Sequence, residues 1–269
     1  MKHIKYIFLL TIIFFSCDEI NMVNDFSKDY TFLCVLKSDQ PTQKAYLYKA
    51  VDINDVIPAN VFILDAEIII SDGTISSQLQ IRNSQTSYSN YEYSDDSVFY
   101  EKILPNTKYD LQIKVNNEFV TGSTTTPGEF AINRLSSDTI LYQDTNDGYN
   151  YIPISWSASA NSFQYLVYST IKYKSNDGRE IERVNKYTNT VNTFATILFE
   201  PRYISYTYTG SSWVVDTEYH AYQIKFVVYA ADKNYYDHVI FSRDRAGLSA
   251  HYGVFGSAIA DSCIAYVKY

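Results

Sequence analysis

The chain contains few of the residues that build reactive or cross-linked sites. Three of its 269 residues are cysteine, two are methionine and six are proline. It contains no C-x-x-C, no H-E-x-x-H and no G-x-S-x-G segment, the patterns typical of redox, zinc-protease and serine-hydrolase sites. These absences disfavour the enzyme classes that depend on such motifs.

Basic residues and long apolar segments are also scarce. Residues 1–16 hold Lys2 and Lys5 and no acidic residue, so the rest of the chain carries 20 basic and 30 acidic residues, a formal charge of −10. Nucleic-acid binding is therefore disfavoured, because it needs clustered positive charge to neutralise phosphates. After residue 16 no apolar run approaches the roughly 20 residues that cross a hydrocarbon core.

The beginning of the chain has the pattern of a signal peptide. Lys2 and Lys5 precede an apolar run at residues 6–15, which is too short for a membrane-spanning helix. The segment IIFFSCDEI then places one small residue, Ser16, directly before Cys17. This segment resembles the lipobox of bacterial lipoproteins, and the resemblance implies that Cys17 becomes the first residue of the mature chain and carries acyl chains. Two or more acyl chains anchor a protein stably in a membrane.

Acidic residues after the lipidated cysteine are common in the surface lipoproteins of Bacteroidota, and Asp18 and Glu19 fit this pattern. The resemblance implies an outer-membrane, lipid-anchored protein that is exposed at the cell surface. Residues 1–16 are the predicted lipoprotein signal peptide. Residues 17–28 follow as a predicted flexible leader between the lipid and the folded part.

The rest of the sequence is rich in residues that favour β-strands, including many of its 27 tyrosines. Short alternating runs are separated by turn signals such as Asp72-Gly73 and Asp177-Gly178. The segment AYQIKFVVYAADKNYYD alternates in the same way and is predicted to be a core strand. No segment after the signal peptide keeps a helical period over three turns, so helix is predicted to be scarce.

The segment LPNTKYDLQIKV resembles the part of fibronectin type III and immunoglobulin-like domains that contains a tyrosine corner. The resemblance implies that the Tyr109 hydroxyl bonds to backbone a few residues upstream. Pro127-Gly128 interrupts the strand pattern as a linker, and Trp156 is predicted to fill a second core. The predicted fold class is all-β, with two tandem immunoglobulin/fibronectin-like β-sandwich domains after the lipoprotein signal peptide. The N-terminal sandwich is predicted at residues 29–127. The C-terminal sandwich, which includes a Tyr-rich tail, is predicted at residues 131–269.

The tail KNYYDHVIFSRDRAGLSAHYGVFGSAIADSCIAYV resembles the C-terminal region of an uncharacterised family of Bacteroidota outer-membrane lipoproteins, a domain of unknown function found beside TonB-dependent transporters. In that family a Tyr-rich segment precedes a glycine-framed aromatic signature, which corresponds here to Gly253, Phe255 and Gly256. The resemblance implies an accessory role next to such a transporter. Glycine within a strand also marks a bulge or a close approach of two backbones, and this structural role is favoured over ligand contact.

The two cysteines of the predicted folded part allow two interpretations. Cys34 and Cys263 lie near opposite ends of the chain, and a disulfide between them requires their Cα atoms to come within reach. Alternatively, Cys34 is a small buried hydrophobe on the same strand face as Phe32 and Leu36, and this interpretation is favoured.

The sequence predicts no catalytic residues, no metal site and no cofactor. Asp237 and His238 are adjacent, but neighbours in a strand point to opposite faces. The segment DTNDGYN at residues 144–150 is similar to a calcium loop, yet its glycine comes one position early and Ser155 stands where a bidentate Glu is required. A hairpin turn explains this segment better.

Two tyrosine-rich segments are candidate binding surfaces. RYISYTYTGSSWVV predicts a hairpin about Gly210, with Tyr206 and Tyr208 on one strand and Trp213 just past the turn. Such rings give binding surfaces large contact areas, but they also form cross-strand ladders that only stabilise a sheet. The structural interpretation is favoured, because one face of every sandwich strand is buried. SYSNYEYSDDS predicts an exposed loop with three further candidates, Tyr88, Tyr91 and Tyr93.

Together these features predict a surface-tethered, non-catalytic binding or accessory lipoprotein that works with a TonB-dependent outer-membrane transporter. The expected partners are the membrane, through the lipid anchor, the transporter, and a protein or glycan ligand. The alternative is an adhesin or structural surface protein that binds host or neighbouring cells. A hydrolase without a known motif is disfavoured, because acids and bases do not cluster in the sequence.

Overall fold

The computed structural model describes residues 30–49, 61–86, 89–95, 103–133, 138–142, 148–241 and 245–269, with backbone alone at 84–86, 89–90, 186–189, 240–241 and 245. The described part is almost entirely β-structure, as the sequence predicted. Residues 1–28, which hold the predicted signal peptide, leader and Cys17, lie outside the described residues. Within the described ranges, no helix has the length and apolar character needed to span a membrane.

The first half of the chain forms seven described strands around one core. The strands are β1 (Tyr30–Lys37), β2 (Lys44–Lys49), β3 (Glu67–Ser71), β4 (Ser76–Thr86), β5 (Ser89–Ser94), β6 (Lys108–Val115) and β7 (Glu118–Thr125). β3 lies between the first part of β4 and β6, with β7 beyond β6, whereas the second part of β4 pairs with β5 in the layer that contains β1 and β2. The strand β4 therefore passes from one layer of this first sandwich to the other.

The alternation in β6 shows how the sequence specifies the first core. Tyr109, Leu111, Ile113 and Val115 are buried, and the residues between them are exposed. Successive side chains of a strand point to opposite faces, so KYDLQIKV gives one apolar and one polar face. The apolar face packs against residues of β1, β2 and β3 in a single buried cluster.

The second half forms another two-layer arrangement. Its elements are β8 (Ile132–Asn133), β9 (Thr139–Leu141), β10 (Asn150–Trp156), β11 (Gln164–Ser175), β12 (Glu180–Thr190), β13 (Phe194–Phe199), β14 (Arg202–Tyr208), β15 (Trp213–Ala231), α1 (Lys233–Phe241), β16 (Arg245–Ala246) and β17 (Tyr252–Lys268). The layer β12-β11-β15-β17 covers the three-stranded layer β13-β10-β8. Trp156 is buried between these layers, with its ring 5.3 Å from that of Tyr165.

The long strand β17 belongs to both sandwiches. Residues 252–258 pair in parallel with β1, and residues 258–266 pair antiparallel with β15. Phe255 lies in the first core and Ala265 lies in the second. The predicted domain ranges placed the whole tail in the C-terminal sandwich, whereas its first half completes the N-terminal one.

The beginning of helix α1 differs from the predicted strand. Asp232 accepts a hydrogen bond from the backbone N of Tyr235 at 2.8 Å, which is the geometry of an N-cap. The expectation that AYQIKFVVYAADKNYYD forms one strand is therefore wrong after Ala231, because the cap starts a helix there. Asp237 and His238 consequently lie on a helix, where Lys233 donates a hydrogen bond to Asp237 one turn away.

A buried polar network joins the two sandwiches at the same place. Asp232 also accepts hydrogen bonds from the backbone N of Ser257, at 3.1 Å, and from the Thr124 hydroxyl of β7. Burial raises the pKa of the Asp232 carboxyl, and these hydrogen bonds lower it in part. The network thus connects strands of the first sandwich to the helix of the second.

The two described cysteines are free thiols. Cys34 is buried on the same face of β1 as Phe32 and Leu36, and burial raises the pKa of its thiol to about 12. Cys263 is half-buried, and its pKa is raised to about 11, chiefly by burial. Cys34 therefore acts as a small apolar core residue and not as one half of a disulfide.

Candidate functional site

The hairpin predicted about Gly210 is formed by β14 and the beginning of β15. Tyr208 pairs with Trp213, and Tyr206 pairs with Val215, so these four side chains share one face. The turn is closed by a hydrogen bond from the backbone N of Thr209 to the carbonyl of Ser212, at 3.0 Å. We call residues 204–215 the aromatic hairpin.

The aromatic hairpin extends beyond the sheet that carries it. The last pair between β11 and β15 joins Ser175 to Tyr219, so residues 213–218 of β15 pair only with β14. A two-stranded ribbon has no third strand and no facing layer against which to bury side chains. The rings at its tip are consequently left in solvent.

Exposure separates the two interpretations of these rings. Tyr206 is 53% exposed, Tyr208 is 56% exposed and Trp213 is 68% exposed. The Tyr208 and Trp213 rings lie 5.2 Å apart and contact each other without joining either buried core. The expectation that these three rings lie on a buried strand face is therefore wrong, because the ribbon leaves the sandwich before they occur.

The aromatic hairpin also exposes aliphatic side chains. Ile204, Val214 and Val215 are exposed; Val215 lies directly opposite Tyr206, whereas Val214 pairs with Thr207 on the other face. The signal that identifies them is their position in a short hairpin: each lies within a few residues of Gly210. In such a ribbon both faces are exposed, so alternation does not distinguish core from surface.

The base of the aromatic hairpin is held by the neighbouring turn. Arg179, in the turn between β11 and β12, donates a hydrogen bond to the Thr217 hydroxyl and lies 3.8 Å from the Asp216 carboxylate. The Asp177 carboxylate accepts a hydrogen bond from Arg179 Nε at 2.8 Å. The register shifts between Ser205 and Tyr206, so Asp216 occupies a bulge at this contact.

The charged groups lie at the base of the aromatic hairpin and not at its tip. Residues 203–219 contain no Lys, Arg or His, and their two acids, Asp216 and Glu218, lie toward the base, where Arg179 and Arg202 are 3.8 Å from their carboxylates. The tip carries hydroxyl groups, aromatic rings and the aliphatic side chains of Val214 and Val215. This surface suits an uncharged or weakly basic partner, and it offers nothing to neutralise an anionic one.

In the second tyrosine-rich segment, the two tyrosines whose side chains the structure describes are not exposed. Tyr93 is buried, its hydroxyl donates to the carbonyl of Ile63 at 2.8 Å, and it accepts from the backbone N of Ala66 at 3.1 Å. Its assignment as a binding residue is a misprediction, because the hydroxyl is satisfied inside the first sandwich. Tyr91 is half-buried with its ring 6.0 Å from that of Phe62. Tyr88 lies outside the described residues.

The residues assigned structural roles lie in or against the cores. Tyr109 is fully buried, and its hydroxyl accepts a hydrogen bond from the backbone N of Leu104, five residues upstream, at 2.9 Å. At Gly253, where φ is +117°, an added Cβ would lie 1.8 Å from the carbonyl oxygen of Phe32. At Gly256 it would lie 2.8 Å from the backbone N of Tyr235. Both glycines therefore permit a close approach of backbones.

Each described histidine lies in a different part of the fold: His220 in β15, His238 in helix α1 and His251 just before β17. His220 lies 3.8 Å from the Glu218 carboxylate, and burial lowers the pKa of His238 on helix α1. Among the residues that the structure describes, no group of three or more His, Cys, Asp or Glu side chains is placed to hold a metal ion. Most of the calcium-loop segment, at residues 144–147, lies outside them.

Comparisons with known proteins give little further information. No protein-family model matches the chain, and curated proteins give no match. Among solved structures, the chain is similar to a DUF4785 family protein from Legionella pneumophila, with 10% identity and a TM-score of 0.20. The likeness covers 72% of this chain and 51% of that protein, so the chain spans about half of its length. At this TM-score the likeness supports no conclusion about function.

Proposed function

We propose that this protein is a surface-tethered, non-catalytic binding lipoprotein whose aromatic hairpin holds a partner protein. The observation that carries the proposal is the exposure of Tyr206, Tyr208 and Trp213 on a ribbon that projects from the second sandwich. Tyrosine and tryptophan are enriched in protein interfaces, because they bury a large area and still satisfy a polar atom.

The exposed rings of the aromatic hairpin offer a small apolar contact area. A fully buried aromatic side chain removes about 150–250 Å² from water. The exposed halves of three rings therefore represent on the order of 7 kcal/mol of gross hydrophobic stabilisation, before the costs of association are subtracted. An interface of this kind gives only a modest affinity when both molecules diffuse freely.

Tethering explains how a modest interface can be adequate. In this proposal Cys17 carries the acyl chains, and residues 17–28 connect them to the first sandwich. Confinement to a membrane raises the effective concentration of one partner near another without any new contact. The partner that best suits this arrangement is a TonB-dependent transporter in the outer membrane, which the lipoprotein serves as an accessory subunit at the cell surface.

The hairpin proposal is tested by comparing two double variants in the native cells. Tyr206→Ser with Trp213→Ser removes two exposed rings of the aromatic hairpin. As a matched control, Tyr151→Ser with Phe194→Ser removes two rings that are 59% and 62% exposed on the outer face of β10 and β13. After cross-linking and purification, mass spectrometry should find the transporter with the wild type and the control, and about tenfold less of it with the hairpin variant.

The same experiment separates binding from stability and from tethering. The melting temperature of the hairpin variant should stay close to that of the wild type; a large decrease would assign the rings to the core. Cys17→Ala should move the protein from the membrane fraction to the soluble fraction, and retention in the membrane would contradict the tether. Recovery of host-cell or neighbouring-cell proteins in place of a transporter would support the adhesin alternative.

A further inference from the structure

An open groove lies on the outer face of the first sandwich, on elements that do not belong to the aromatic hairpin. Its volume is about 730 Å³, and its floor is the outward face of β3, β6 and β7. A segment at residues 247–249 forms one wall. The polar side chains that line the groove include those of Ser71, Asp110, Gln112, Thr121, Ser123 and Ser249.

The wall is fixed to the edge of β7 by backbone hydrogen bonds. Ser123 N donates to the carbonyl of Gly247 at 3.0 Å, and Ser249 N donates to the carbonyl of Thr121 at 2.7 Å. Thr121 N in turn donates to the Ser249 hydroxyl at 3.0 Å. The groove is therefore preformed, since both its floor and this wall are held by sheet-type pairing.

Strand register arranges the floor as two rows of side chains. One row runs Ser71, Asp110, Ser123 across β3, β6 and β7, and the next runs Ile69, Gln112, Thr121. Neighbouring strands lie about 4.8 Å apart, so hydroxyl, carboxylate and amide groups follow one another at short intervals. The carboxylate accepts hydrogen bonds, whereas the amide and the hydroxyls both donate and accept.

We propose that this groove binds a neutral, hydroxyl-rich ligand of the saccharide class. Sugar hydroxyls would donate to Asp110 and exchange hydrogen bonds with Gln112 and Thr121. The apolar side chain of Ile69, which also lines the groove, suits the C–H face of a sugar ring. The mixture of closely spaced polar groups with small apolar patches is what such a ligand requires.

Other ligand classes fit the lining less well. An anionic ligand finds no Lys, Arg or His among the lining residues, and the one lining carboxylate, Asp110, offers it no favourable contact. A cationic ligand competes with Lys108, whose ammonium lies 2.7 Å from the Asp110 carboxylate. An extended peptide cannot add to the edge of β7, because residues 247–249 already occupy it.

The proposal is tested by titration calorimetry on the full chain in detergent, with maltohexaose, cellohexaose and xylohexaose as neutral probes and polygalacturonate as an anionic one. At least one neutral hexasaccharide should bind. Gln112→Ala should weaken that binding about tenfold, because it removes a side chain that makes hydrogen bonds within the groove. The matched control is Gln78→Ala, on the neighbouring β4 opposite Ile69 but outside the groove, and it should change the affinity by less than about twofold.

Three results would overturn the proposal. They are no binding of any neutral probe at millimolar concentration, binding of polygalacturonate alone, and equal effects of Gln112→Ala and Gln78→Ala. Thr121→Arg fills the groove from β7, so it gives a second measurement of the same loss of saccharide affinity. Melting temperatures verify that each variant folds. Tyr206→Ser with Trp213→Ser should leave saccharide binding unchanged, so this test fails or succeeds independently of the hairpin proposal.

Discussion

At the scale of single residues, Asp232 performs two tasks that normally fall to different side chains. It caps helix α1 through the backbone N of Tyr235, and it joins this helix to Ser257 and Thr124. The three donors are neutral groups, so the carboxylate is held by hydrogen bonds without the charge of a cation. Burial therefore dominates and raises its pKa.

This raised pKa makes the stability of the protein depend on pH in a defined direction. The folded state binds the Asp232 proton more tightly than the unfolded chain, in which the pKa is about 3.9. Acidification from neutral pH toward that value should therefore stabilise the wild type relative to Asp232→Asn, which cannot titrate at this position. Urea unfolding of both proteins at pH 7 and pH 5 measures the change. The assignment would be contradicted if the difference in unfolding free energy between the wild type and the variant were the same at both pH values. It would also be contradicted if the variant gained stability relative to the wild type at pH 5.

At the scale of elements, the strand β17 and the aromatic hairpin show opposite packing around their glycines. Gly253 in β17 has positive φ and faces the backbone of Phe32 at a distance where no Cβ fits. Gly210 in the hairpin turn also has positive φ, at +88°, but nothing lies within 4 Å of its Cβ position. The two sites therefore share a positive φ, which strains any residue that has a Cβ, and they differ in steric room.

Alanine substitution at these two glycines separates strain from crowding. Gly210→Ala should lower the free energy of unfolding by about 1–2 kcal/mol, the cost of a left-handed conformation with a side chain. Gly253→Ala adds a backbone clash and should cost more than about 4 kcal/mol, because β1 and β17 must separate. Guanidinium denaturation provides both values. Similar losses at the two positions would show that β17 moves away from β1 easily.

Local signals in the sequence predicted much of this element structure, and contacts distant in sequence were not predicted. The turns at Asp72-Gly73 and Asp177-Gly178 connect paired strands as expected, since each signal lies within the hairpin that it specifies. The parallel pairing of β17 with β1 joins residues more than 200 positions apart, and no periodicity encodes it. The exposure of Trp213 was not predicted either, because it depends on the point at which β11, a strand distant in sequence, ends.

At the scale of the whole molecule, the two sandwiches are joined far more closely than two domains connected by a linker. They share β17, and the Asp232 network crosses between them. Separating the sandwiches therefore requires breaking sheet pairing and exposing buried polar groups.

Unfolding should consequently occur in one step. Two independent sandwiches would melt in two transitions, whereas a shared strand couples them. Differential scanning calorimetry should show a single transition whose calorimetric and van't Hoff enthalpies agree. Thr124→Val, which removes one hydroxyl from the network, should lower the melting temperature and keep one transition. Two resolved peaks in the wild type would show that β17 does not couple the sandwiches.

The sharing of β17 also determines the order in which the protein can assemble. The ribosome makes residues 252–258 after every other described strand of the first sandwich, so β1 lacks this neighbour until those residues have been synthesised. Until then the edge of β1 presents unpaired backbone groups that invite pairing with other chains. Chains that have not yet acquired this strand are thus the aggregation-prone species.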